Sequence, residues 1–263
     1  MAAFIIGGIL IVFGIILSLI IPMKMKNKNI EIRFIQTTSI GELKSILTDN
    51  AAAGLEGYRH YVELKGQADT DTPQKAPFSE KEVPYYDADL FQVYEETETY
   101  TDDKGNRHNR IVKKESLMSN QKSTGSIALK DGQSGDRVYI DVSQSGMELE
   151  TVKTLDKFEP VNNLQQYSFF GSFRYNSMGA RTLGFRMIEK TIPFGQTLYV
   201  LGEALLEGTK VNIGRPMDKK KPFIVSVRNE TDIVQGNKTS SNFALIFGIL
   251  LVVAGILVMI FMH

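Results

Sequence analysis

The sequence predicts a β-rich (α+β) central domain carried between two transmembrane α-helices. Three observations point there. An apolar run lies near each end of the chain, at 2–21 and at 243–262. Between them, short segments alternate apolar and polar residues, as half-buried strands do. These segments are separated by glycine and by Asp-Gly or Lys-Gly-Asn turns rather than by long helical repeats.

The second run, Phe243 to Met262, holds no charge and no proline. At 1.5 Å of rise per residue, about 20 residues span roughly 30 Å, the hydrocarbon thickness of a bilayer. A helix is the form in which such a segment satisfies its own backbone in lipid. Only His263 follows it, so the expectation is that the protein ends at a membrane face. The first run, Ala2 to Ile21, is closed by Pro22. It lacks a basic leader and a small-residue cleavage site, which favours an uncleaved span over a signal peptide.

Small residues fall at Ala3, Gly7, Gly14 and Ser18, and again at Ala244, Gly248 and Gly255. Steps of four and seven keep them on one helical face, where backbones can approach closely in lipid. The expectation is antiparallel packing of the two helices, within one chain or between two chains as a homo-oligomer. Glycine is also simply frequent in membrane helices. Lys24, Lys26, Lys28 and Arg33 follow the first span. By the positive-inside rule they place the central domain in the cytoplasm. The chain then reads as an integral membrane protein with two spans.

The domain itself is expected over 30–236. Thr38 to Leu47 reads as a helix, with Ser39 and Glu42 as a capping box. Asn50 to Gly57 reads as a small-residue connection, Tyr61 to Leu64 as a strand, and Gly66 to Pro84 as a polar loop. Leu90–Tyr100 and Arg110–Met118 flank the turn Asp102-Asp103-Lys104-Gly105-Asn106, a hairpin whose charges suggest cross-strand pairing or a docking surface. A second hairpin joins Ile127–Leu129 to Val138–Val142. Tyr167, Phe169, Phe170, Phe173 and Tyr175 read as core. Phe185–Ile192, Thr197–Leu205, Lys210–Ile213 and Pro222–Val227 complete the strands.

The inventory excludes much chemistry. With no cysteine and three histidines, disulfides, thiolate nucleophiles and cysteine-ligated zinc are ruled out for these residues. Thirty basic residues balance 30 acidic ones, which gives no footprint for nucleic acid. No phosphate-binding glycine loop, nucleophile elbow or metalloprotease motif occurs. His60 and His108 read as satisfied surface histidines, and Asp69 and Asp71 as a solvated loop rather than a calcium site. Glu203, in an apolar strand, could act as an acid or base, or could sit in a structural contact. Lys219, Lys220 and Lys221 form a solvated turn or touch anionic headgroups. No catalytic, cofactor-binding or metal-binding residue is assigned.

Several segments resemble the GIDE family in order and spacing. They are Thr38–Leu47, Val62–Gly66, Leu155–Pro160, Pro222–Ser226 and above all Glu189-Lys190-Thr191-Ile192-Pro193-Phe194-Gly195-Gln196-Thr197-Leu198-Tyr199-Val200-Leu201-Gly202-Glu203-Ala204. In the family's E3 ubiquitin ligases, a membrane-flanked domain between two spans precedes a zinc-binding RING finger. The resemblance implies that domain, and it implies a ubiquitin transferase as the family activity. The RING is expected to have no counterpart here, because this sequence offers no cysteine and stops where the module would begin; the resemblance then implies a prokaryotic-type version that keeps the membrane-flanked domain. The expected function is therefore a non-catalytic, membrane-anchored binding or scaffold protein. Its expected partners are the bilayer and an unidentified protein. The alternatives are a component of a ubiquitin ligase and a lipid or envelope-stress factor.

Overall fold

The computed structural model describes residues 2–132, 134–166 and 181–261, without the side chains of 2–3 and 164–166. The helices are α1 (Ala2–Ile15), α2 (Ile21–Phe34), α3 (Ile40–Ala52) and α4 (Glu230–Phe261), with a π-helical turn at Ile16–Ile20 joining the first two. The first strands in chain order are β1 (Arg59–Asp69), β2 (Gln74–Lys75), β3 (Glu82–Val83), β4 (Tyr85–Thr101), β5 (Arg107–Lys122), β6 (Ser126–Lys130) and β7 (Arg137–Asp141). They continue with β8 (Met147–Leu149), β9 (Val152–Pro160), β10 (Arg181–Ile192), β11 (Thr197–Glu207), β12 (Lys210–Gly214) and β13 (Phe223–Ser226). A strand-rich domain thus lies between two apolar helices, as the patterning predicts. The chain divides into two compact units, one of Met1–Lys65, Ser145–Leu149 and Leu198–His263, the other of Gly66–Gln144 and Glu150–Thr197.

In the first unit, two helices are long and apolar enough to cross a bilayer, Phe4–Phe34 and Glu230–Phe261. They pack against each other through the glycines the spacing picks out. A Cβ on Gly14 would lie 2.6 Å from the carbonyl of Gly248, and one on Gly255 would lie 2.7 Å from that of Gly7. Both neighbours are backbone, so neither glycine can gain a side chain without separating the helices. Ser18 extends the same contact, and Ala3 lies outside the described side chains.

Pro22 does not end the first helix. Proline has no N–H to return to the preceding turn and its ring crowds that turn. The π-helical turn directly before it adjusts the backbone, and the helix runs on to Phe34. Beyond it, Ser39 caps α3 as expected, its Oγ accepting from the Glu42 N–H at 3.1 Å. The cap fixes the helix so that Ile40, Leu43 and Leu47 face the core. That helix continues to Ala52, into the segment expected to be a connection.

The same unit holds β11, flanked by β12 and β13, with β8 parallel to β13. Its core joins Ile32, Tyr199, Leu201, Ile224, Ile233 and Val234, so the C-terminal end of α2 and the N-terminal end of α4 are sealed onto the sheet.

The second unit contains an antiparallel sheet in the order β5-β4-β10-β9. Fifteen register pairs join β4 to β5 around the Asp102–Asn106 turn, longer than the hairpin alternation alone predicts. Phe78, Ala88, Leu90, Phe185 and Met187 form its core. The distal part of β1 pairs with β6, and β6 with β7. The expected polar loop holds a short ribbon, β2 with β3. Strands β8 and β9 carry too little alternation to be read in advance. The aromatic stretch of Tyr167 to Tyr175 lies outside the described residues.

Candidate functional site

Three carboxylates are buried among the described residues: Glu159 pairs with Lys157, and Glu63 and Glu189 are each held within their own unit. Glu63 is 1 % exposed. It accepts from the Tyr199 hydroxyl at 3.0 Å and from the Thr37 hydroxyl, and the Lys65 ammonium lies 3.0 Å away. Burial, then the Glu63 charge, pushes the Tyr199 phenol well above its ordinary value. In the other unit, Glu189 has no exposed surface. It accepts the backbone N–H of Phe78 at 3.0 Å and that of Ser79 at 3.2 Å, together with the Ser79 hydroxyl. These are structural ties: every partner is a donor that fixes a neighbouring segment.

The residues weighed from sequence are placed as follows. Glu203 accepts from Arg59 at 3.1 Å and from the Met217 N–H at 3.2 Å, so it ties β11 to β1 and to the turn after β12. The guanidinium of Arg137 sits between Asp69 and Asp71, 2.7 Å from the latter, where a cation would have to bind. His60 pairs with Tyr58 at 3.2 Å, and His108 with Asp102 at 2.9 Å. Among the described residues, no group of three or more His, Asp and Glu side chains is placed to hold a metal. Lys219, Lys220 and Lys221 line a cavity of about 450 Å³.

The charged hairpin pairs across its strands. Lys114 bridges Glu96 and Glu98, the latter at 2.7 Å, and Arg110 meets Glu98 at 3.0 Å. The Lys114 hydrogen bond, then that of Arg110, holds the Glu98 carboxyl below its usual range. These pairs turn the charges toward β4. They leave Ile111, 72 % exposed, and Leu117, 54 % exposed, on a 16-residue edge strand.

The family model GIDE, described as E3 Ubiquitin ligase, matches residues 95–260, more than half of the chain. The chain belongs to the GIDE family. No curated protein and no solved structure matches it. The GIDE match begins inside β4 and runs through the edge strand, the buried Glu189, the whole of β11 and most of α4. The zinc of a RING needs sets of cysteine and histidine ligands, and 263 residues with no cysteine and three histidines do not fit it.

Alternation could have found Glu189: Phe185, Met187, Glu189 and Thr191 share one strand face, and all four are buried. Glu63 gives no such signal, because its strand is buried on both sides, with Val62, Glu63 and Leu64 all inside.

Proposed function

We propose that this GIDE-family chain is an integral membrane scaffold. Two spans hold its central domain on the cytoplasmic face of a prokaryotic cell membrane, and the domain recruits a protein partner without catalysis of its own. The observation that carries the reading is β5. Sixteen residues long and mostly exposed, it forms one edge of the four-stranded sheet. An edge strand offers unpaired N–H and C=O groups to an incoming extended segment, and its outward side chains select that segment. Ile111 and Leu117 are the apolar anchors, and Lys113 lies between them on the same strand face. The basic flank Lys24 to Arg33 supports the cytoplasmic placement.

The test is a pull-down of the full-length protein in mild detergent, wild type against the double variant Ile111→Lys, Leu117→Lys. The reading expects a protein bound in near-stoichiometric amount to wild type and lost from the variant. The same bound proteins on both would count against it.

The family description favours a second reading, in which the chain is a ligase component and the zinc-binding module belongs to another polypeptide. A RING protein recovered through β5, with ubiquitin or a ubiquitin-like protein transferred only when both are mixed, would select it.

A further inference from the structure

We propose that the cavity beside α2 binds the phosphate of an anionic lipid headgroup. The inference rests on the reading that α1 and α4 span a bilayer. Six cations line this cavity of about 450 Å³: Lys24 and Lys28 from α2, and Arg215, Lys219, Lys220 and Lys221 from the segment between β12 and β13. The one carboxylate among the lining residues is Glu148, and it pairs with Lys28. The site therefore carries a net charge of +5 (six cations less one anion).

Its parts are held in place. Lys221 lies over the Tyr61 ring at 4.7 Å, and the Tyr61 hydroxyl donates to the Pro222 carbonyl at 2.9 Å. The turn that carries the lysines is closed by Asp218, which accepts the Lys220 N–H at 2.9 Å. Gly146 has a positive φ of 82°. That backbone conformation favours glycine, and a Cβ there would sit 3.0 Å from Arg215 Cζ, so the guanidinium packs close against it. Lys24, Lys219 and Lys220 are exposed and form no ion pair among the described residues.

Depth selects the ligand. Lys24 follows Ile21, the last residue of the apolar run, by three positions, about 5 Å of helical rise. Lys28 lies about 6 Å further along. Both are at headgroup level when the run fills the hydrocarbon. A concentrated positive cavity at that depth meets lipid phosphate before it meets a soluble anion. The volume is in the range of small-ligand pockets, and guanidinium and ammonium donors together suit a phosphate.

The test uses the full chain in nanodiscs of phosphatidylcholine with phosphatidylglycerol, with retained lipid read by native mass spectrometry. Wild type should retain phosphatidylglycerol in preference. The pair Lys219→Gln, Lys220→Gln should lower that preference about tenfold or more, and Lys24→Gln should lower it independently. Removing two charges from the hairpin turn of the other unit, Lys104→Gln with Arg107→Gln, should leave it unchanged. Equal losses from the two pairs, or no loss from the cavity variants, would overturn the proposal. So would glycerol 3-phosphate binding to lipid-free protein as tightly as the lipid and with the same dependence on Lys219 and Lys220, since the ligand would then be a free phosphate. Carbonate extraction of the chain from membranes reports on the spanning reading separately. Release into the supernatant would overturn both.

Discussion

The two edges of the four-stranded sheet are built differently. On β9, nine residues long, the charges are consumed locally. Lys153 meets Asp156 at 2.9 Å on the same strand, Lys157 pairs with Glu159, and Arg186 of the neighbouring β10 grips Asp156 through two nitrogens at 2.8 and 2.9 Å. Its exposed Phe158 lies under the Lys113 ammonium, 5.5 Å from the ring centre. On β5, nearly twice as long, Lys114 and Arg110 turn inward to the glutamates of β4 and leave Ile111 and Leu117 uncovered. Edge strands normally blunt themselves with charge. The contrast teaches that β9 keeps its charges in local ion pairs, whereas β5 is longer and carries the more exposed apolar residues, Ile111 and Leu117 against Val152 and Phe158.

The strongest way to break the contrast is to loosen the strand between the edges. Replacing Glu189 by leucine would strand two backbone N–H groups and the Ser79 hydroxyl. It should cost about 2–4 kcal/mol of stability, read from chemical denaturation of the full chain. Glu189→Gln, which keeps an acceptor in place, should cost less than half of that. If the two variants were equally stable, the buried carboxylate would not be the tie described.

Next in size is alkaline unfolding. Burial, and after it the Asp87 charge, pushes the Tyr85 phenol at the start of β4 up to about 12. Burial, then the Glu31 charge, also raises Tyr61. A raised folded value favours the neutral phenol, so this stabilisation is whole below the ordinary tyrosine value of about 10. It is lost as pH climbs from there through about 12. Ultraviolet titration should show these phenols ionising late and together with loss of structure. Early, independent ionisation would contradict the burial.

Smaller still is the effect of Asp156→Asn, which opens β9. The Arg186 hydrogen bond first, and then that of Lys153, holds the Asp156 carboxyl far below the ordinary aspartate range. The pairs are at the surface and screened by solvent, so the loss in stability should be small. The variant should instead make β9 stickier, which light scattering at neutral pH would detect. Finest of all, Lys114→Met should move the titration of Glu98 upward, toward the usual carboxylate range. Because the folded value is depressed, the contribution of Glu98 is present above the unfolded value and fades as pH falls through the folded one. An unmoved Glu98 titration in carboxyl-selective NMR would remove Lys114 as its first cause.

Much of this architecture is legible in the amino-acid order, for identifiable reasons. Helical length and the Gly7, Gly14, Gly248 and Gly255 stripe are local periodicities, and the packing they imply is the packing found. Ser39 and Glu42 mark their helix start because a cap is a contact three residues long. Helical continuation through Pro22 was not legible, since a proline signals a break and the compensating π-helical turn has no sequence signature. The strands β8 and β9 escaped because β8 is three residues long and β9 is mostly exposed. The cavity beside α2 could not be foreseen as a unit. Lys24 and Lys219 are nearly 200 positions apart, and only the fold brings the two basic runs together.

The most direct test of the scaffold account is photo-crosslinking in native membranes, with a crosslinking amino acid placed at Ile111 on β5 or at Phe158 on β9. The account predicts one discrete partner adduct from position 111 and none of the same mass from position 158. Identical adducts from both edges, or none from 111 while the protein is intact in the membrane, would contradict it.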